Sequence, residues 1–299
     1  MERRRLGKTD MDVSVLGFGG SEIGYEHASR KTVAELLNSA LDAGLNVIDT
    51  AECYHSSEEL IGQAVGDRRK QLYLFTKCGH PHGFGERADW SKDSILESIQ
   101  RSLGRLKTDK IDIIQLHSCS ETELRKGEVI DALQTARERG YVRYIGYSGD
   151  SQAARYAVET GAFDTLQTSI NIADQEAIDL TLPLAREKQM GVIAKRPIAN
   201  AAWKTGHRPI DSYHHEYWDR LRKLNYGFLK DDLEKGISIA LRFTLSVPGV
   251  HTAIVGTQKP ERCQQNAKLL EEGTLDEAFF REIRERWEEC APRTWIGQV

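Results

Sequence analysis

Four side chains suited to proton transfer lie at or just after the ends of apolar segments: Asp49, Tyr54, Lys77 and His117. Tyrosine is a weak acid with an ordinary pKa of about 10, and a nearby cation such as Lys77 favours the phenolate and lowers that pKa. Asp49 would hold the ammonium in place, and His117 would hydrogen-bond a carbonyl oxygen or relay a proton. This chemistry suits Tyr54 to protonate an oxygen that becomes negative as hydride reaches its carbon.

Alternating strand and helix patterns would position these side chains. The strands are predicted as short apolar runs at residues 13–19, 46–50, 72–77, 111–117, 142–147, 165–170, 191–195 and 252–255. Such runs are typical of parallel strands buried on both faces. About eight strand–helix units predict a (β/α)8 TIM barrel, with a β-hairpin at residues 3–13 before it and an extra C-terminal helix after it. No linker divides the chain, so residues 1–299 are expected to form a single domain.

In such barrels the functional residues gather at the carboxyl ends of the strands. The polar residues predicted there are Asp49, Lys77, His117, Ser148, Gln167 and Lys195. Taken singly, each is more often an ordinary surface residue. Together at neighbouring strand ends they predict a shared site, and they lack the nucleophile and base of an acyl-transfer enzyme.

Composition excludes several classes of protein. The chain is 29% charged with a formal net charge of −4, and it has neither a long basic run nor an apolar segment of membrane-spanning length, so we expect no nucleic-acid or membrane partner. The missing signal-peptide pattern makes a cytoplasmic location the default. The five cysteines are expected to be reduced. Their spacing with nearby histidines fits no zinc pattern, so no metal is expected.

The spacing around Asp49 resembles the signature of the aldo-keto reductase superfamily. The matching run is Gly44-x4-Asp49-Thr50-Ala51-x2-Tyr54-x2-Ser57-Glu58, and the residues from Arg4 to Gly19 are similar to that family's N-terminus. The resemblance continues through Lys77 and His117 to Asn266 and so covers nearly the whole chain. It implies a (β/α)8 barrel that binds NAD(P)H without a Rossmann domain. It also implies a catalytic tetrad of Tyr54 as general acid–base with Asp49, Lys77 and His117; the family's usual glycine after the tyrosine is His55 here.

The resemblance also implies a set of cofactor-binding residues. They are Gly20, Asp49, Ser148, Gln167, Lys195, Arg196, Pro197, Ile198, Gly256, Thr257, Gln258, Arg262, Gln265 and Asn266. Ser148 and Gln167 match positions that hold the nicotinamide amide, and Arg262 matches the position that grips a 2′-phosphate. We therefore expect NADPH, with NADH as the other candidate. Gly149 stands where the family usually has asparagine, and Lys195-Arg196 replaces an aromatic residue and a serine.

The glycines at 17, 19 and 20 do not form a Rossmann fingerprint, because the third glycine is not at the required offset. We expect the backbone at Gly20 to approach the nicotinamide instead. Three long segments would either line the substrate-binding side or pack onto the barrel. They are residues 78–90, residues 198–228 and the tail after residue 270. Their aromatic and histidine residues are His80, His82, Phe84, Trp90, Trp203, Tyr213, His214, His215, Tyr217, Trp218 and Trp295.

The residues and the resemblance together predict an NADPH-dependent reductase of aldehydes or ketones. Its substrate would be a small carbonyl compound or a sugar, and the protein would be a monomer or a small homo-oligomer. The same chemistry could run oxidatively, as in an NAD(P)-dependent sugar or alcohol dehydrogenase. A third alternative is a non-catalytic NADPH-binding sensor, like the potassium-channel beta subunits that resemble this family; the intact tetrad argues against it.

Overall fold

Eight parallel strands form a closed barrel in the computed structural model, which describes residues 1–81, 83 and 88–298. The strands in chain order are β1 (Arg3–Arg5), β2 (Asp12–Ser14), β3 (Leu16–Gly19), β4 (Val47–Asp49), β5 (Tyr73–Cys78), β6 (Ile111–His117), β7 (Val142–Ser148), β8 (Thr165–Ser169), β9 (Gly191–Lys195) and β10 (Thr252–Gly256). Strands β3 to β10 follow one another around the barrel, and β10 pairs with β3 to close it. The predicted (β/α)8 fold is therefore confirmed.

Helices surround the barrel and connect its strands. They are α1 (Ser21–Tyr25), α2 (Arg30–Asp42), α3 (Ser57–Val65), α4 (Lys92–Leu106), α5 (Glu121–Lys126), α6 (Glu128–Glu138), α7 (Ser151–Thr160), α8 (Glu176–Leu180), α9 (Leu182–Glu187), α10 (His215–Leu224), α11 (Leu233–Ser246), α12 (Glu261–Leu269) and α13 (Glu277–Cys290). Ser91 caps α4, because its side chain accepts a hydrogen bond from the Ser94 N–H. The extra C-terminal helix is α13. Within the described residues, no helix is both long and apolar enough to span a membrane.

The N-terminal hairpin of β1 and β2 closes the bottom of the barrel. Leu6, Met11 and Val13 are fully buried there and pack with apolar residues of the barrel interior. Gly7, at the turn, has φ +54°, and a Cβ at this position would lie 2.3 Å from the Gly191 backbone nitrogen. Only glycine fits this turn, because other residues would combine an unfavourable φ with a backbone clash.

Side chains inside the barrel change from apolar to polar along the strands. The lower layer contains Val47, Phe75, Ile113, Ile193 and Ile254. Two residues later, on the same face of each strand, come Asp49, Lys77, Gln115, Lys195 and Gly256. Because side chains alternate along a strand, residues two positions apart share a face. The polar layer therefore lies directly above the apolar one, at the carboxyl ends of the strands. Cys78, next to Lys77, points outward into the core beneath the helices.

Two predicted elements are broken in the structure. The predicted strand at residues 13–19 ends at Ser14 and restarts at Leu16, because the Ser14 hydroxyl donates to the Leu16 carbonyl at 2.7 Å and Asn46 accepts from the Ser14 N–H. The sequence pattern also predicts one helix that ends at about residue 188 after the strand at residues 165–170, but the structure divides it into α8 and α9 at Thr181. Pro183 lies in the first turn of α9, and a proline lacks the N–H that would continue the first helix.

Candidate active site

A buried ion pair between Lys77 and Asp49 lies at the centre of the barrel mouth. Both residues are about 1% exposed. The Lys77 ammonium also donates to the Thr50 carbonyl oxygen at 2.8 Å. Two opposite charges removed from water are stabilised by each other only when the geometry is good and the remaining polar atoms are satisfied. The pair therefore fixes both side chains in one arrangement.

A hydrogen-bonded network extends from Asp49 across the barrel. The Asp49 Oδ1 atom accepts from the amides of Gln115 at 3.2 Å and Gln167 at 2.8 Å. Gln167 in turn accepts from the Ser148 hydroxyl at 3.1 Å. The predicted residues Ser148 and Gln167 are thus brought together with Asp49. Gln115 was not predicted, although its position two residues before His117 on β6 places both side chains on the inner face.

Tyr54 lies in the loop between β4 and α3, half-buried above the ion pair. The Lys77 Nζ atom is 5.2 Å from the centre of the Tyr54 ring. The Tyr54 and His117 rings are 5.7 Å apart between centroids and meet edge to face at 82°. The four residues of the predicted tetrad therefore occupy one site.

The expected effect of Lys77 on Tyr54 is wrong for this structure. Burial, with the negative charge of Asp49, raises the pKa of Tyr54 well above its ordinary value. Lys77 does not offset this increase, because its charge is held by Asp49 at the base of the site. Tyr54 is consequently a neutral phenol that carries a proton to donate.

His117 is a neutral imidazole. Burial, and then the charge of Lys77, lowers its pKa well below the ordinary value. Its Nδ1 atom lies 3.3 Å from the Cys53 sulfur, and its backbone oxygen contacts the His80 Nε2 atom at 2.8 Å. A neutral imidazole has one ring N–H that can donate a hydrogen bond, and the lowered pKa makes the charged form, which would carry a second proton, rare at neutral pH.

Gly20 lies where backbone must pack closely against the site. Its N–H donates to the Asp49 carbonyl at 2.7 Å, and its carbonyl accepts from the Ser57 hydroxyl at 2.7 Å. A Cβ at Gly20 would lie 2.9 Å from the Ser57 Oγ atom. Because Gly20 has no side chain, its backbone leaves room for a flat ring such as nicotinamide to approach closely.

Lys195 ends β9 and Arg196 follows it, and both side chains converge with Ser169 on one oxygen atom. The Gln298 carbonyl accepts from Ser169 at 3.0 Å, from Lys195 at 2.9 Å and from Arg196 at 2.5 Å. Lys195 also pairs with Asp150 at 2.6 Å, and burial lowers its pKa to about 8. A hydroxyl, an ammonium and a guanidinium around one acceptor are donors that suit a phosphate oxygen.

The C-terminal tail enters this part of the barrel mouth. The Gly297 N–H donates to Glu176 at 2.6 Å and the Gln298 N–H to Asp174 at 3.1 Å. Burial, then the charge of Asp150, raises the pKa of Asp174 to about 7. Trp295 packs on Trp287 with ring centroids 5.4 Å apart. No sequence motif indicated these tail contacts.

The other predicted cofactor residues lie along the same edge. Pro197 and Ile198 follow β9, and the Pro197 carbonyl accepts from Thr244 at 2.9 Å. Gly256 ends β10, Thr257 and Gln258 follow it, and Arg262, Gln265 and Asn266 lie on α12. A Cβ at Gly256 would be 3.2 Å from the Glu22 carboxylate. The loop after Gly256 leads into the N-terminus of α12, and the N-terminal end of a helix favours an anion.

Aromatic and imidazole side chains line parts of the rim above Tyr54. Tyr25 contacts the Tyr54 ring at 5.6 Å and the His55 ring at 5.0 Å between centroids. On another side, His80 and Trp90 meet edge to face at 5.4 Å. Tyr213 is exposed and accepts a hydrogen bond from Arg196 at 3.0 Å.

Of the two roles left open for the aromatic residues of the long segments, several have the packing role. Trp203, Tyr217, Trp218 and Trp295 are buried in the core that joins the long segments to the barrel. His82 and Phe84 lie outside the described residues. Across residues 1–81, 83 and 88–298, no group of three His, Cys, Asp or Glu side chains is arranged to hold a metal ion.

Comparisons with known proteins agree with this geometry. The model of the "Aldo/keto reductase family" matches residues 15–288. The chain is 28% identical to the uncharacterized oxidoreductase YqkF of Bacillus subtilis, over 95% of this chain and 96% of the relative. It is 26% identical to L-galactose dehydrogenase of Arabidopsis thaliana, over 100% and 98% of the two chains. The structure of aldo-keto reductase AKR11C1 from Bacillus halodurans, in its holo form, matches with a TM-score of 0.83 at 26% identity, over 98% and 99% of the chains. The chain therefore belongs to the aldo/keto reductase family of NAD(P)H-dependent oxidoreductases.

Proposed function

We propose that this oxidoreductase uses NADPH to reduce an aldehyde or ketone to an alcohol, with Tyr54 as the proton donor. The observation that carries the proposal is the neutral Tyr54 phenol, which lies beside His117 and above the buried Lys77–Asp49 pair. An acid in contact with the mouth of the barrel, with a fixed cation beneath it, suits protonation of an oxygen that gains negative charge.

When bound, NADPH would supply hydride to the carbonyl carbon. The π electron pair of the carbonyl moves to its oxygen, and the Tyr54 O–H donates a proton to that oxygen. The phenolate that remains on Tyr54 is stabilised by the Lys77 ammonium, whose nitrogen lies 5.2 Å from the ring centre. The neutral His117 orients the substrate by donating a hydrogen bond to the same oxygen. Water then returns a proton to Tyr54.

The proposed cofactor contacts are divided among three groups of residues. Ser148 and Gln167 would hold the nicotinamide amide beside the backbone of Gly20. Lys195 and Arg196, with Pro197 and Ile198 after them, would meet the pyrophosphate. The adenosine end would lie at Gly256, Thr257, Gln258, Arg262, Gln265 and Asn266. The guanidinium of Arg262, in the first turn of α12, suits a 2′-phosphate and is the reason to propose NADPH over NADH.

The proposed substrate is an uncharged carbonyl compound with an aromatic or polyhydroxylated body. Tyr25, His55, His80 and Trp90 present rings and imidazoles at the rim, which favour stacking and hydrogen bonding over ion pairing. We also propose that residues 1–299 act as one domain, since the hairpin and the tail both pack into the barrel. The cytoplasmic location and the assembly as a monomer or small homo-oligomer stay predictions.

The oxidative direction is the second candidate, and the resemblance to L-galactose dehydrogenase favours it. A turnover experiment separates the possibilities. NADPH consumption is followed by absorbance with excess para-nitrobenzaldehyde, and NADPH formation is followed with NADP⁺ and a series of sugars. Consumption of many equivalents of NADPH supports the reductase. Turnover only with NADP⁺ and a sugar supports the dehydrogenase, and tight NADPH binding without any turnover supports the sensor.

A further inference from the structure

A thiol lies against the imidazole of His117. Cys53 directly precedes Tyr54 in the chain, and its side chain is buried with only 4% of its surface exposed. Its sulfur is 3.3 Å from the Nδ1 atom of His117, which is hydrogen-bonding distance for a thiol and a ring nitrogen. The proton transfer described above does not itself use this thiol.

The hydrogen atom between these groups can belong to either of them. In a neutral imidazole one nitrogen is a donor and the other an acceptor. If the Cys53 thiol donates to Nδ1, the remaining ring hydrogen is on Nε2. If Nδ1 donates to the sulfur, Nε2 presents a lone pair. A carbonyl oxygen only accepts hydrogen bonds, so only the first arrangement lets His117 bind the substrate oxygen.

The thiol keeps a hydrogen that it can donate to Nδ1, 3.3 Å away. Burial raises the pKa of Cys53 to about 12, so the sulfur keeps its hydrogen at neutral pH. Burial also keeps His117 uncharged by lowering its pKa. Both partners are held by backbone contacts: the Cys53 carbonyl accepts from the Tyr25 hydroxyl at 3.5 Å, and the His117 carbonyl contacts His80 at 2.8 Å.

We propose that Cys53 is a positioning residue whose thiol donates to His117 Nδ1 and so keeps Nε2 protonated for the substrate oxygen. The proposal rests on the proposed function in one respect, the contact of His117 with that oxygen. It adds a residue outside the tetrad and predicts which nitrogen carries the hydrogen.

The kinetic test uses three variants. Cys53→Ala lowers kcat/KM about 5-fold, the size of one neutral hydrogen bond, and Cys53→Ser restores most of this loss because its hydroxyl is also a donor. Cys119→Ala is the matched control. That thiol is buried two residues after His117 but bonds to the Ser120 carbonyl at 3.7 Å, so its removal leaves kcat/KM close to the wild-type value. Equal losses in Cys53→Ala and Cys53→Ser would contradict a donor role.

The decisive readout is the protonation of the two ring nitrogens of His117. Long-range ¹H–¹⁵N NMR correlations distinguish the two neutral tautomers, and comparison with His117→Gln assigns the signals. We expect the Nε2–H tautomer in the wild type and in Cys53→Ser, and loss of this single tautomer in Cys53→Ala. The Nδ1–H tautomer in the wild type, or an unchanged tautomer in folded Cys53→Ala, overturns the proposal. The NMR result needs no turnover, so a failure of the proposed reductase activity is recognised separately.

Discussion

The ammonium of Lys77 lies 5.2 Å from the centre of the Tyr54 ring, but its charge is paired with Asp49. In the free protein burial therefore decides the state of Tyr54, and its pKa is raised. The cation becomes important when the phenolate forms, because a nearby positive charge stabilises an anion in a site with little water. Asp49 thus holds the Lys77 ammonium near the place where the negative charge of the Tyr54 phenolate forms after proton donation.

The buried ion pair is expected to contribute strongly to folding. Asp49→Asn leaves Lys77 charged and buried without its counter-ion, so we expect the free energy of unfolding to fall by about 3–5 kcal/mol. The double variant Asp49→Asn/Lys77→Met removes both charges and should lose less than the sum of the two single variants. Denaturant titrations measure these free energies.

An exposed ion pair provides the control for that prediction. Arg155 and Glu159 pair on the surface of α7 at 2.9 Å, with about half of each side chain exposed. Glu159→Gln should change the free energy of unfolding by no more than about 0.5 kcal/mol. A similarly small effect of Asp49→Asn would show that the buried pair is not a major source of stability.

The lowered pKa of His117 predicts a dependence of stability on pH. The unfolded chain binds a proton at His117 below about pH 6.5, whereas the folded protein does not until the pH falls much further. The unfolded state therefore binds more protons in this window, and the free energy of unfolding falls as the pH falls. His117→Gln removes this contribution, which is at most about 1.4 kcal/mol per pH unit.

Denaturant titrations at about pH 5 and about pH 7 measure this effect. His80, His214 and His251 also have pKa values lowered by burial, but His117→Gln retains them, so the difference between variant and wild type isolates His117. His207→Gln, at an exposed position, serves as control. An identical loss of stability on acidification in the wild type and in His117→Gln would show that His117 is not buried in its neutral form.

The strand ends of the site could be predicted from the sequence because parallel strands have a simple period. Asp49 and His117 end their strands and Lys77 is the second-last residue of the strand between them, so the barrel brings the three together whatever the loops do. The same period could have indicated Gln115, two residues before His117. It could not indicate the state of Tyr54, because the pKa depends on how completely the surrounding chain excludes water. The break at Ser14 depends on its hydrogen bond with Asn46, which is distant in sequence.

The tail contacts were unpredictable for a related reason. Gln298 meets Lys195 and Arg196 through its backbone carbonyl, and a backbone group carries no signature in the sequence. Burial of Trp203, Tyr217 and Trp218 likewise depends on how a long segment folds onto the barrel. An aromatic-rich segment is compatible with either a substrate wall or a packed layer, so composition alone did not decide between them.

Arg262 is expected to control the choice between the two cofactors. Arg262→Gln removes the guanidinium proposed to hold the 2′-phosphate, so KM for NADPH should rise about 10- to 100-fold, the size of charge-assisted hydrogen bonds. KM for NADH should change little. Lys268→Gln, in the last turn of the same helix, is the control for a general loss of positive charge. Equal increases in both KM values would argue against a specific contact with the 2′-phosphate.

The tail should compete with the cofactor for Lys195 and Arg196. A Cβ at Gly297 would lie 2.5 Å from the Asp150 Cβ atom, so Gly297→Val should displace the Gln298 carbonyl and free three donors. We expect Kd for NADPH to fall about 5-fold, because the cofactor no longer has to displace the Gln298 carbonyl from these donors, and that displacement costs about as much as one hydrogen bond. Ile296→Ala, an exposed side chain in the same tail, is the control. Weaker binding in Gly297→Val would mean that the tail helps to hold the cofactor.

Comparison of wild type with Tyr54→Phe in steady-state NADPH oxidation tests the proton donor most directly. The substitution removes one hydroxyl and keeps the ring beside His117 and Lys77. With para-nitrobenzaldehyde as substrate, we predict clear turnover by the wild type and a fall in kcat of at least about 100-fold in the variant, with NADPH binding retained. Unchanged turnover in Tyr54→Phe would contradict the account, because the proton would then come from another group.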